Sequence, residues 1–350
     1  MFLWADRLRN LATLLVIAIH VAGPVAEETV RLGTLDWWVG NFWDSLGRVS
    51  VPLFVMLSGF LLLGKDISTF DFLKKRTARI ALPALFWLVV YSVYNHFAHN
   101  NPATLGDAVK GLINGPVHYH LWFLYLIIGI YLTAPILLPW VKQATERDYL
   151  YFFAVCILGT WIYKALFYAF GVTIGLYFEL FTNQIGHFVL GYYLGNKVCK
   201  GENPTVPGIK PWPFTGVQLR RYALLAILAG TLITAVGTYV ATSWNHGVFH
   251  QYHYDYLTFN VGLAAIGWFV FAQRSFNGRP LLEVEKELAS ASFGIYFIHV
   301  LVMDWWSEVG YWHSKYHPAG SIPVTIVLVL LLSFTAVQII RSSAWGRRIT

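Results

Sequence analysis

Two ionisable side chains stand out in an apolar stretch near the amino terminus: Arg9, in Asp6-Arg7-Leu8-Arg9, and His20, eleven residues further on. At 100° and about 1.5 Å per residue, a helix brings His20 to within about 20° of the Arg9 direction and about 16 Å further along the axis. The two therefore share one face. Ionisable groups inside a membrane are costly and face a cavity or a partner. An imidazole whose ordinary pKa is about 6.5 can act as a base at neutral pH, so His20 suits removal of a proton from an acceptor hydroxyl. The same pattern fits a structural account, in which His20 is a hydrogen-bonded interior histidine and Arg9 snorkels to the interface.

Arg76 and Arg79 lie three residues apart in Lys74-Lys75-Arg76-Thr77-Ala78-Arg79. At that spacing both guanidinium groups point one way along a helix, and their forks match phosphate oxygens. A phosphorylated ligand suits them; so does a positively charged anchor at the membrane surface. Arg48 follows Asp44 by four residues, a spacing that fits either a salt bridge or a contact with a sugar, phosphate or carboxylate of a substrate. Ser58-Gly59 suits close helix packing, with Ser58 also a candidate for substrate contact. Glu179, Asn183 and His187 recur every four residues, and His299 and Asp304 come late in another apolar run. These polar groups could line a substrate path or hydrogen-bond between helices. The two cysteines, Cys156 and Cys199, have no CxxC or Cys/His spacing around them, so neither a metal site nor a disulfide framework is expected.

The elements that must carry these residues are membrane helices. The chain is 12% charged and 57% hydrophobic, against about 25% and 45–50% in soluble domains, and its mean hydropathy is +0.54. Spans of about 20 apolar residues are predicted at 8–26, 47–64, 80–98, 120–141, 148–169, 174–196, 222–243, 256–273, 287–306 and 321–340. The expected fold is thus all-α, a polytopic bundle of about ten transmembrane helices. If the amino terminus is cytoplasmic, 20 of the 25 Lys and Arg residues fall in the inner loops and termini, which places both termini in the cytoplasm by the positive-inside rule. That spread of basic residues over short loops accounts for the net charge of +7 without a nucleic-acid partner. Tryptophans 37, 38, 43, 244, 305 and 306 suit an interfacial aromatic belt or stacking on sugar rings. The basic pair and apolar run at the start superficially match a secretory signal, but no small-residue cleavage site follows Val25, so a retained helix is expected. Neither an internal repeat nor a linker long enough for a separate soluble domain is visible, which weighs against inverted-repeat transporter designs.

Taken together, Asp6-x-Leu8-Arg9, Arg9-x10-His20, Arg48-Val-Ser-Val-Pro-Leu-Phe-Val-Met-Leu-Ser58-Gly59-Phe60, Arg76-x-x-Arg79, Tyr119-His120-Leu121-Trp122-Phe123 and Ser292-Phe-Gly-Ile-Tyr296-Phe-Ile-His299 resemble the acyltransferase-3 family of integral membrane O-acyltransferases. Within it the chain looks most like the short surface-glycan O-acetyltransferases of the enterobacterial common antigen type. The resemblance implies one membrane-embedded acyltransferase domain over 1–350 in the bacterial inner membrane, with no metal and no appended esterase-like domain. Its donor would be acetyl-CoA or another acyl-CoA, and its acceptor a carbohydrate that is lipid-linked or periplasmic. By the same resemblance Arg9 and His20 are the catalytic pair, and Arg76, Arg79 and Arg9 hold the donor. Arg48, Ser58, Trp122, Glu179, His187 and His299 are candidates for substrate contact. Asp6, Asp44 and Glu179 are the candidate carboxylates to orient His20, although Asp6 lies about four turns away along one straight helix and better suits a salt bridge to Arg9 or a nearby arginine. Surrounding lipids are the other partners, and a homodimer is compatible with the sequence. The rival class is a transporter of an acyl group or glycolipid that does no chemistry. The topology makes a direct prediction: cysteines introduced in the 65–79 and 197–221 loops of a cysteine-free background should react with an impermeant thiol reagent from the same side of the membrane. Labelling from opposite sides would refute the ten-span reading.

Overall fold

The computed structural model describes residues 2–98, 115–172, 183–203, 206, 208–309, 312 and 315–350. Among these residues the chain is helical throughout, with no strand. Nine helical segments are long and apolar enough to cross a membrane, and the protein is a multi-pass membrane protein. In chain order they are α1 (Leu3–Glu27), the pair α2 (Leu35–Gly47) and α3 (Ser50–Leu62), α4 (Thr69–Ala98), α5 (Trp122–Gln143), the pair α6 (Glu146–Ile157) and α7 (Tyr163–Phe170), then, after a short helix α8 (Ile185–Asn196), α9 (Gly216–Trp244), α10 (Phe259–Phe276), α11 (Glu283–Val309) and α12 (Pro318–Arg341), with a final turn α13 (Gly346–Ile349). The expected span at 174–196 falls partly outside the described residues, and its described part is α8.

The second span is longer than its hydropathy suggests. It runs from Leu35 to Leu62 rather than from 47 to 64, because Asp36, Asn41, Asp44, Ser45 and Arg48 dilute the apolar signal of α2. The Thr34 hydroxyl caps the start of α2 by accepting from the Trp37 amide at 3.3 Å. Asn41, fully buried, donates to the Ala235 carbonyl at 2.9 Å and accepts from the Tyr254 hydroxyl at 2.6 Å. Polar groups inside a bundle are tolerated when each finds such a partner. Trp37 is likewise a buried helix residue rather than a loop residue, donating through Nε1 to the Ala26 carbonyl at 2.8 Å.

α1 is the central helix and packs against α2, α3, α10, α11 and α12. Other helices turn apolar rows outward, as α4 does with Leu82, Leu85, Val89 and Val93. Both termini lie at one end of the bundle, since the start of α11 bonds to both. Arg7 Nε meets Glu285 Oε1 at 2.8 Å, and Arg341 Nη1 donates to Ser290 Oγ at 2.9 Å. We call this the terminal end. α4 and α11 are tied in their later halves, where the Tyr91 hydroxyl donates to the Phe297 carbonyl at 2.6 Å, and Tyr94 donates to Asp304 at 2.8 Å.

The crossing of α3 and α8 depends on two glycines. A Cβ at Gly59 would overlap the Phe188 carbonyl, and one at Gly191 would overlap the Met56 carbonyl. Backbones meet directly there, as small residues permit between membrane helices. Gly59→Ala should therefore destabilise the protein by about 1–3 kcal/mol or more through overpacking, read as a lower unfolding midpoint in detergent. Gly129→Ala, where a Cβ meets nothing within 4 Å, should leave the midpoint unchanged.

Candidate active site

A cavity of about 560 Å³ runs beside α1 and is lined by Arg9, Val16, Ile19 and His20 from that helix. Its mouth, at the terminal end, carries Arg9, Lys65, Arg76 and Arg79. α4 supplies Arg76 and Arg79, and the Arg76 guanidinium rests 5.7 Å from the Phe72 ring centroid and 5.9 Å from that of Tyr131. Arg9 is held by Asp6, with Nη1 at 2.7 Å from Oδ1. Lys65, in the turn between α3 and α4, has its pKa lowered by burial and by the neighbouring Arg76, Arg79 and Lys75. Among the described residues no carboxylate lines the cavity, so its mouth holds an excess of positive charge suited to an anion such as phosphate.

Apolar side chains including Val16, Phe54, Leu61 and Ile127 form the middle of the cavity, and its deep end is polar and aromatic. There His20 is joined by Ser50, His120, Trp122 and Tyr256. No hydrogen bond to the His20 imidazole is present among the described residues. Its neighbours are rings: His299 with a centroid separation of 5.3 Å, and Tyr119 at 5.2 Å. His299 Nδ1 is 2.8 Å from the Tyr296 carbonyl and 3.1 Å from that of Ile295. A nitrogen facing carbonyls must carry the proton, which leaves Nε2 as an acceptor. His120 lies 5.5 Å from His299 between ring centroids, and its Nδ1 is 3.1 Å from that of His118. Ser50 Oγ, His120 Nε2, His299 Nε2 and Arg76 Nε are buried without a partner among the described residues. Such orphaned groups call for a ligand or water.

The structure thus brings Arg9, His20, Arg76, Arg79, Ser58 and Trp122 to one cavity, with His299 directly behind His20. Ser58 Oγ is occupied, donating to the Phe54 carbonyl at 2.9 Å. Two candidates lie elsewhere. His187 is buried in α8 against Gln184, Nδ1 to Oε1 3.0 Å; α8 begins at Ile185, so Asn183 lies outside the helix and no Asn183–His187 stripe forms. Glu179 is outside the described residues. Arg48 sits within the second span rather than at its outer end, and its Nη2 meets the fully buried Asp44 carboxylate at 2.7 Å. Neither Asp6 nor Asp44 orients His20, because each is committed to an arginine. Spacing does not single out Lys65, Ser50 or Tyr256. A lysine in a basic loop, a serine in a helix and a tyrosine in an aromatic loop are too common to stand out.

Residues 2–340 match the family described as acyltransferase domain. The chain belongs to this acyltransferase family. It is also similar to the succinoglycan biosynthesis protein ExoH of Rhizobium meliloti (strain 1021), at 28% identity over 170 residues, covering 42% of this chain and 45% of that protein. The matched part is thus less than half of that relative's length. No solved structure matches.

The Asp44–Arg48 pair gives this subsection its test. Removing one partner of a buried ion pair leaves an uncompensated charge and costs about 3–5 kcal/mol. Asp44→Asn should lower the unfolding midpoint sharply, and adding Arg48→Gln should recover most of the loss. A single variant as stable as the parent would contradict the pairing.

Proposed function

We propose that this chain is an O-acyltransferase that moves an acyl group, acetyl in the simplest case, from a cytosolic acyl-CoA to a hydroxyl of a carbohydrate. The observation that carries the reading is the single cavity with a cationic mouth and a histidine at depth. In this reading the terminal end faces the cytoplasm, in keeping with the bias of Lys and Arg toward its loops. Phosphates of the donor rest against Arg9, Lys65, Arg76 and Arg79. The pantetheine arm extends along the apolar middle, over the span of about 16 Å that separates Arg9 from His20 on one helix face.

At depth the acceptor hydroxyl oxygen attacks the thioester carbon. A C–O bond forms, the C–S bond breaks, and the hydroxyl proton passes to His20. The departing thiolate then takes that proton, which returns His20 to its neutral form and leaves CoA as the thiol. Ser50 Oγ, without a partner among the described residues, is the donor available to the developing oxyanion. His299, its own proton fixed on Nδ1 by two carbonyls, packs behind His20 and limits the ring positions open to it. The apolar middle excludes water and so protects the thioester from hydrolysis. The similarity to a succinoglycan biosynthesis protein supports a polysaccharide, or its lipid-linked precursor, as the acceptor.

The test uses the full chain in lipid nanodiscs with radiolabelled acetyl-CoA and a panel of glycans. His20→Ala should lower ester formation by about 10²–10⁴-fold, the usual contribution of a general base, with CoA affinity kept. Arg76→Ala with Arg79→Ala should weaken CoA binding by at least about tenfold, on the scale of charge-assisted contacts to phosphate. Ester formation that survives loss of His20 would remove the base assignment. Glycolipid or acyl flux without any ester would identify a transporter instead.

A further inference from the structure

Tyr256 lines the donor cavity and also a second chamber of about 230 Å³, bounded by Glu27, Arg48, Tyr168, Phe249, Gln251, Tyr254 and Asp255. This chamber lies at the end of the bundle opposite the termini, between the last turn of α1 and the loop before α10. Tyr256 stacks on Trp122, with ring centroids 5.5 Å apart and planes at 24°. Two aromatic rings thus stand where the chambers meet.

We propose that this second chamber is a subsite for one uncharged sugar residue, and that the Tyr256–Trp122 stack is the partition its reacting hydroxyl must pass. The word acceptor for that sugar rests on the acyl transfer proposed above; the binding site itself does not.

Size supplies the first argument. Sites for drug-sized ligands measure about 300–1,000 Å³, and a chamber of 230 Å³ takes a single ring rather than an oligomer. Lining chemistry supplies the second. The rings of Tyr168, Phe249 and Tyr254 offer flat apolar faces, while Glu27 and Gln251 offer hydrogen-bonding groups beside them. A pyranose has the same mixture of C–H faces and hydroxyls.

Charge supplies the third and most selective argument. Arg48 is neutralised by Asp44 at 2.7 Å, and its guanidinium lies 4.2 Å from the Tyr254 ring centroid. Asp255 is paired with Lys164. Glu27 has neither a hydrogen bond nor an ion pair among the described residues. With Glu27 ionised, the acids Glu27, Asp44 and Asp255 outnumber Arg48 and Lys164 by one around the chamber, which disfavours phosphates and uronic acids, while hydroxyls can donate to the Glu27 carboxylate. The donor cavity has the opposite character, with four cations and no acid along its lining. The two chambers sort ligands by charge.

The site is also preformed. Tyr254 is fixed by its hydrogen bond to Asn41 at 2.6 Å, and the loop is closed by Leu257 N to Asp255 Oδ1 at 2.8 Å and Thr258 Oγ1 to the Asp255 carbonyl at 2.7 Å. A rigid loop loses little entropy on binding. Only the partition has to move.

Saturation-transfer NMR on the full chain in nanodiscs tests this with methyl β-D-glucopyranoside and methyl β-D-galactopyranoside as neutral probes, and glucuronic acid and glucose 1-phosphate as acidic ones. A neutral probe should bind at least about tenfold more tightly than either acidic one, the equivalent of one unfavourable charge contact. Glu27→Gln, an isosteric change at an exposed position, should shrink that preference to about threefold or less, and Phe249→Ala should weaken the neutral probe by about tenfold. Tyr256→Ala should raise acetyl-CoA hydrolysis in the absence of sugar by about tenfold. In that reaction a water oxygen attacks the thioester carbon, a C–O bond forms, the C–S bond breaks and the proton goes to the thiolate; a thiol-reactive dye reads the CoA released.

CoA binding is measured on the same samples. If CoA binds but neutral and acidic sugars bind alike, or none binds, or Glu27→Gln leaves the preference unchanged, the sugar subsite is overturned. If sugars bind selectively and CoA does not, the subsite stands and the acyl-CoA donor falls. Hydrolysis unchanged in Tyr256→Ala overturns the partition.

Discussion

A charge carried into hydrocarbon must find a counter-charge or a wet cavity, and this requirement decides where almost every ionisable side chain of the protein sits. Asp6 holds Arg9, Asp44 holds Arg48, and Glu146 holds Lys197 at 2.7 Å with the Tyr193 hydroxyl alongside. Lys65, Arg76 and Arg79 have no ion pair among the described residues, and all three face one cavity. Three cations without an ion pair are thus gathered at the mouth that also holds Arg9.

Position along α1 then sets the geometry. Arg9, Val16 and His20 recur at intervals of seven and four residues and form one row along the cavity. The other faces of the helix are buried against five neighbours, so the row can neither rotate nor slide without disturbing the whole bundle. A reacting group on so well-braced a helix is placed more reproducibly than one on a loop. The backbone approach of α3 and α8 through Gly59 and Gly191 extends the same rigidity to the helix that brings Ser50 and Ser58 to the cavity.

Much of this is legible in the sequence, for a physical reason. Hydropathy reports the solvent, so seven of the nine crossing helices of the described residues lie close to the windows predicted for them, while the second and third begin about three turns earlier. The 3.6-residue period likewise makes the shared face of Arg9 and His20 an arithmetical result. What fails is anything that depends on who meets whom between helices. Hydropathy places Arg48 at a membrane edge because it cannot see that Asp44 neutralises it. The expected polar stripe through Asn183 and His187 assumes a helix that begins only at Ile185. Tyr254 and Tyr256 are indistinguishable in sequence from an interfacial belt, yet the fold sets them against Arg48, at 4.2 and 5.9 Å between guanidinium carbon and ring centroid.

The Asp44–Arg48 pair also bears on how the chain enters its membrane. A charged residue at the centre of a helix costs about 2.5–3.5 kcal/mol on insertion, and the 28-residue segment Leu35–Leu62 carries two near its middle, besides Asp36 at its start. Their spacing of four residues lets the pair close within the segment itself as soon as the helix forms, before any other helix is present. Within α2 the Ser45 hydroxyl also finds Asn41 Oδ1, but Asn41 takes its other partners from Ala235 and Tyr254, 194 and 213 residues later in synthesis. The second span must therefore wait in the bilayer half-satisfied, sheltered by α1, until the distant half of the chain emerges from the ribosome to complete it.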